Sequence, residues 1–77
     1  MTKIEFYRRL AGLSTVELAG RLGVHPSNLS HLERFHRKPW PRLRHRLAEV
    51  LGVPETELFD ADGWPLSLDV EALKNVQ

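Results

Sequence analysis

The chain has 77 residues, 42% hydrophobic and 27% charged, with no cysteine and a net charge of +1. That length holds one domain at most, and the balance of apolar and charged residues is that of a folded soluble protein. The composition excludes disulfide scaffolds, thiolate metal sites and cysteine nucleophiles and fits a reducing compartment. No run of 18 apolar residues predicts a membrane span, and residues 1–9 carry no apolar segment of the signal-peptide kind. The small net charge hides an asymmetry. Residues 1–46 hold ten Lys/Arg against three acids, +7, and residues 47–77 hold one Lys against seven acids, −6. A basic half of this kind suits a polyanion such as nucleic acid, and equally an ordinary solvated surface.

The punctuation is short and regular, at Gly12, residues 23–26, residues 38–41, residues 52–54 and residues 62–65. Between these marks apolar residues recur at helical spacing. Ile4, Tyr7 and Leu10, with Phe6, predict a first helix. Leu18, Ala19 and Leu22 predict a second, opened by Ser14 with Glu17 three residues later, a capping box. Leu29 and Leu32 predict a third with Pro26 in its first turn, and Leu43, Leu47, Val50 and Leu51 a fourth entered through Pro41. Leu58 and Phe59 end a short fifth turn opened by Pro54 and Glu55. Beyond it, residues 66–70 alternate apolar and polar as a strand would. The same stretch also reads as the start of a helix capped by Asp69, with Val70, Leu73 and Val76 on one face. The expected fold is all-α, a compact five-helix domain over residues 1–60 with a short extension over residues 61–77.

The second and third predicted helices meet at Gly23, Val24 and His25. A steep crossing around a tight turn needs a small residue at the closest approach, a residue tolerant of positive φ in the turn, and an apolar plug from the second helix. Ala19, Gly23 and Leu29 supply these in order, which is a helix-turn-helix signature.

With the Leu18-Ala19 pair, Leu22-Gly23-Val24, Leu29-Ser30-His31-Leu32-Glu33, and the later Leu51-Gly52-Val53-Pro54 before Glu57-Leu58-Phe59, the chain resembles the Cro/repressor-type (lambda repressor-like, XRE) helix-turn-helix family of phage and bacterial regulators over about residues 3–60. The resemblance implies a five-helix domain that binds double-stranded DNA sequence-specifically, commonly as a homodimer on a palindromic operator. It implies a transcriptional regulator of repressor type, cytoplasmic and nucleoid-associated. Four positions depart from the family's pattern. Thr15 stands where Gln is usual, His25 and Pro26 where Ser and a longer polar residue are usual, and Phe35 where Gly is often found. Arg44 stands where an apolar residue is common. A left-handed conformation at Phe35 would cost about 1–2 kcal/mol.

Carried onto this sequence, the resemblance makes Ser27, Asn28 and His31 base-contacting residues, on the side of the third helix away from Leu29 and Leu32. Ser27 and His31 stand together at i, i+4, and Asn suits adenine. Arg37 and Lys38, just beyond that helix, and Thr15 and Arg42 are the expected phosphate contacts. Arg42 and Arg46 share a helix face, and Arg44 points elsewhere. Arg8 and Glu33 match two positions that form a partly buried ion pair.

No catalytic constellation is present, so an enzyme is not expected, and no cofactor is implied. The four histidines, His25, His31, His36 and His45, contain no i, i+3 or i, i+4 pair, so no metal site is expected. Asp60, Asp62 and Glu71 mimic a calcium loop, but Trp64 and Pro65 occupy a ligand position and the obligatory glycine position. A protein-interaction adapter or antitoxin on the same fold is the alternative function, kept open by the acidic end of the chain. The apolar residues of the extension, Trp64 to Val76, are expected to be covered by a second copy, by edge-to-edge pairing of residues 66–70 or through the Val70, Leu73 and Val76 face. The competing expectation is that Trp64 and Leu66 fold back on the first and fifth helices of their own chain.

Overall fold

The computed structural model of the chain describes residues 1–68. Five helices follow one another: α1 (Lys3–Leu10), α2 (Thr15–Leu22), α3 (Pro26–Glu33), α4 (Pro41–Leu51) and α5 (Glu55–Leu58). α2 packs on α3 and α4, and α5 packs on α4 and α1. The all-α expectation holds, and the described residues contain no strand beyond two isolated antiparallel bridges.

Local chemistry sets the helix starts. Ser14 Oγ accepts from the Glu17 N–H while the Glu17 carboxylate accepts from the Ser14 N–H, each at 3.0 Å, so the capping box closes in both directions. These hydrogen bonds to Ser14 hold the Glu17 carboxyl below its ordinary range. Thr2, fully buried, caps α1 through the Glu5 N–H.

Four of the helices end alike. The N–H of the residue after a left-handed one returns to the last turn, in the pairs Leu13 to Arg8, Val24 to Ala19, His36 to His31 and Val53 to Ala48, at 2.8–3.1 Å. This closure requires one left-handed residue at each end. Glycine provides it at Gly12, Gly23 and Gly52 with φ of 71–74°. After α3 the same place is held by Phe35, at φ 62°. The departure at Phe35 therefore leaves the turn's geometry intact and puts the strain of about 1–2 kcal/mol into it.

The core gathers Ile4, Leu18, Ala19, Leu29, Leu32, Leu43, Leu47, Leu58 and Phe59 from all five helices and the residue after α5. Full burial of each large aliphatic side chain contributes roughly 1.5–3 kcal/mol. Tyr7, Leu22, Val50 and Leu51 pack against it half-buried, and Leu10 is missing from it altogether. Leu10 is 71% exposed, and Arg8 takes the buried place on α1. The reason is the period: steps of three residues drift about 60° each on a helix of 3.6 residues per turn, so Leu10 has left the face that Ile4 holds. The fourth helix keeps Leu43 and Leu47 inward. Arg44 lies to the side, its guanidinium 3.8 Å from Glu55 and donating to the Pro39 carbonyl at 3.4 Å. Gly63 makes room for it, since a Cβ there would lie 2.7 Å from Arg44 Nη1.

The chain beyond α5 turns back onto its own start. Leu66 N–H donates to the Leu58 carbonyl and Asp60 N–H to the Trp64 carbonyl. On the other side, Lys3 N–H donates to Leu66 and Leu68 N–H to Met1. Residues 64–68 thus lie between residues 58–60 and residues 1–3, joined by the Phe59–Pro65 and Thr2–Ser67 bridges. This corrects the expectation of edge-to-edge pairing with a second copy over residues 66–70. The part within residues 66–68 has both edges occupied by its own chain; Leu66 folds back as the competing expectation had it, whereas Trp64, expected to do the same, stays 42% exposed. Val70, Leu73 and Val76 lie outside the described residues.

Candidate nucleic-acid interface

α2 and α3 form the centre of the interface. Ala19 and Leu29 are fully buried in the two packed helices, and Gly23, with φ 71°, turns the chain between them. Leu29 and Leu32 face inward, which leaves Ser27 exposed and Asn28, Ser30 and His31 half-buried along the rest of α3.

His25 opens α3 in a way its residue type did not announce. Its ring Nδ1 accepts from the Ser27 backbone N–H at 3.1 Å, doing the work of a Ser or Asp cap, and lies 2.8 Å from Ser27 Oγ. The Ser27 hydroxyl is thereby oriented by the cap. At the other end of α3, the His31 ring lies 6.1 Å from that of His36, tilted by 41°. Asn28 and Arg37, assigned separately to bases and to phosphate, are in contact: Arg37 Nη1 donates to Asn28 Oδ1 at 2.8 Å.

The remaining expected contacts lie on three elements. Thr15 is the first residue of α2, half-buried beside the Ser14 cap. Lys38 is exposed and runs against the turn at Gly63. Arg42, exposed at the start of α4, shares a cleft with Leu22, Gly23, Val24, Trp40 and Arg46, so it stands next to the turn between α2 and α3. Arg46 lies in the same cleft, donating to the Arg21 carbonyl at 3.1 Å and sitting 3.7 Å from Glu49.

Beneath this surface Arg8 and Glu33 tie α1 to the end of α3. Arg8 donates from Nε at 2.8 Å and from Nη2 at 3.2 Å to the two oxygens of Glu33, and from Nη1 to the Leu13 carbonyl at 2.9 Å. Their side chains are only 9% and 6% exposed. The hydrogen bond to Glu33 raises the Arg8 pKa from its ordinary value, so the guanidinium keeps its charge.

The charge pattern separates the surface cations. Among the described residues Lys3, Arg8, Arg9, Arg44 and Arg46 each lie within 4.0 Å of a carboxylate. Arg21, on α2, and Arg34, Arg37, Lys38 and Arg42 have no carboxylate within that distance among the described residues, and the last four follow the last turn of α3 or open α4. This positive stretch next to an exposed polar helix face is arranged to receive an anion.

Sequence reasoning missed the His25 cap and the Arg37–Asn28 contact. The first carried a faint signal, a hydrogen-bond acceptor immediately before a proline-initiated helix. The second had none, because it joins residues nine apart across a turn whose geometry depends on Phe35.

Residues 5–59 match a family described as a helix-turn-helix domain. Over 60 residues the chain is 40% identical to the HTH-type transcriptional regulator SlrR of Bacillus subtilis (strain 168), an alignment covering 77% of this chain and 40% of SlrR. The chain therefore spans about two fifths of the length of that curated relative. No solved structure matches it. The family match, the identity and the α2–turn–α3 geometry agree, and the chain belongs to the XRE-like helix-turn-helix family.

Proposed function

We propose that the chain is a sequence-specific double-stranded-DNA-binding transcriptional regulator, a repressor acting as a homodimer on a palindromic operator, in the cytoplasm at the nucleoid. The observation that carries this reading is the run of cations without acidic partners among the described residues, Arg34, Arg37, Lys38 and Arg42, beside the outward face of α3. Cations paired inside the fold gain nothing from a polyanion, whereas these gain the release of its counterions. The name of the relative SlrR supports the regulatory role.

In this reading α3 enters the major groove. Ser27 and His31 present hydroxyl and imidazole groups to base edges, and Asn28 presents its amide beside them. Thr15, Lys38 and Arg42 hold phosphates on either side and fix the register, and Arg37 adds positive charge at the end of the reading face. A homodimer would set two such helices one DNA turn apart, roughly 34–36 Å.

Selection from a pool of randomised duplexes by the full chain tests the proposal. The expected product is a two-fold symmetric motif with half-site centres about 10–10.5 base pairs apart. A selected pool no different from the starting pool would reject it.

A further inference from the structure

Arg37 lies outside α3, yet its Nη1 reaches Asn28 Oδ1, in the first turn of that helix, at 2.8 Å. The left-handed backbone at Phe35 reverses the chain after Glu33 and brings the following residues back along α3. Arg37 and Asn28 thus share one target.

The contact also fixes what the pair can offer. A guanidinium has donors only, so the Asn28 atom facing it is the carbonyl oxygen, and the Asn28 NH2 is left to donate. Arg37 keeps its Nε and Nη2 donors. No carboxylate lies within 4.0 Å of Arg37 among the described residues. Bidentate recognition of adenine by Asn needs the carbonyl oxygen turned to the N6 amino group and the NH2 to N7. Here that oxygen already accepts from Arg37 Nη1, which takes one of its two lone pairs and turns it toward the guanidinium. Guanine presents two acceptors in the major groove, N7 and O6, and a fork of donors fits both.

We propose that Arg37 is a base-reading residue held in place by Asn28, and that the pair selects guanine in the major groove. The inference rests on the DNA-binding reading above. It replaces the expected phosphate contact of Arg37 and the expected adenine preference of Asn28. Asn28 is the positioning residue: its carbonyl removes rotamer freedom from Arg37, so less is lost when the guanidinium meets a base.

The test repeats the duplex selection with the full wild-type chain and with Arg37→Ala, Arg37→Lys, Asn28→Ala and Asn28→Asp. The expected wild-type motif holds one guanine per half-site, favoured roughly 10–100-fold over other bases. Arg37→Ala should abolish that preference and leave the rest of the motif. Arg37→Lys should weaken it without abolishing it, because an ammonium still donates to guanine but the fork is lost. Asn28→Ala should weaken it, and Asn28→Asp, which keeps an acceptor for Arg37, should retain it at lower overall affinity. Uniform weakening on every sequence with Arg37→Ala would overturn the assignment and make Arg37 a phosphate contact. So would an adenine at the position that Asn28→Ala alone releases. A wild-type chain that selects no motif would reject the assignment together with the DNA-binding reading, whereas a motif unaffected by all four substitutions would reject the assignment alone.

Discussion

The cations of α1 and those that follow α3 are the same residue types in opposite situations. On α1, Arg8 is clasped by Glu33 at 2.8 Å, Arg9 lies 3.7 Å from Glu5 and Lys3 lies 3.8 Å from Glu57. After α3, Arg34, Arg37, Lys38 and Arg42 face no carboxylate within 4.0 Å among the described residues. The first group is neutralised within the fold and serves it. The second group repels itself in the free protein, adds nothing to the core, and is placed where an external anion would neutralise it. The contrast extends to the backbone: α1 ends on glycine, and α3 carries strain at Phe35 to reach the same closure.

The largest effect expected is on the α1 side. Glu33→Ala leaves the nearly buried Arg8 guanidinium without its carboxylate and should destabilise the domain by about 3–5 kcal/mol, read as a lowered melting temperature or denaturation midpoint. The half-exposed Lys3–Glu57 pair, removed through Lys3→Ala so that Tyr7 keeps its hydrogen bond to Glu57, provides the scale, since a surface pair is worth about 0–1 kcal/mol. Equal losses from the two substitutions would erase the distinction between a structural pair and a surface pair.

Next comes the strain after α3. Phe35→Gly should raise stability by up to about 1 kcal/mol, the relief of the left-handed penalty less the greater freedom of glycine in the unfolded chain. A lower melting temperature would mean that the half-exposed ring contributes more by packing than the backbone loses.

Smaller still are the charges beside α3. Lys38→Ala and Arg42→Ala should each change stability by less than about 0.5 kcal/mol in thermal or chemical denaturation, because no partner is stranded. A loss of 1 kcal/mol or more would place these residues with the paired group.

The mildest test is pH. Hydrogen bonds to Ser14 lower the Glu17 pKa in the fold below its ordinary value of 4.5. The ionised carboxylate is thus favoured by folding. Its contribution is complete above pH 4.5 and is lost as pH falls through the lower folded value. Glu17→Gln keeps an acceptor without the titration, so the acid limb of its stability profile should be shallower than that of the wild type. Identical limbs would remove the capping box as a pH-dependent element.

Most of the fold could be read from the chain because its signals are local. Ser14 with Glu17, Pro26, Pro41 and the Ala19, Gly23, Leu29 spacing each act within a turn or two, and the helices start and stop where they stand. Leu10 misled because three-residue spacing resembles helical spacing over one step and departs from it over two. The path of residues 64–68 was hidden because their partners, residues 1–3 and 58–60, adjoin them only in space. The interface was legible by residue type and not by arrangement. Sequence spacing separates the outward side of α3 from the side of Leu29 and Leu32, but the pairing of Asn28 with Arg37 and the capping by His25 depend on where loops return.

The central claim is that Lys38 and Arg42, with no carboxylate within 4.0 Å among the described residues, are there for the phosphates of duplex DNA. Its most direct measurement is the affinity of the full chain for duplex DNA as a function of salt concentration, for the wild type and for Lys38→Ala and Arg42→Ala. Each phosphate held contributes about −0.9 to the log–log slope, so these two contacts predict a wild-type slope of about −2 or steeper, reduced by about one in either variant. A slope near zero, or a steep slope that both substitutions leave unchanged, would contradict the account.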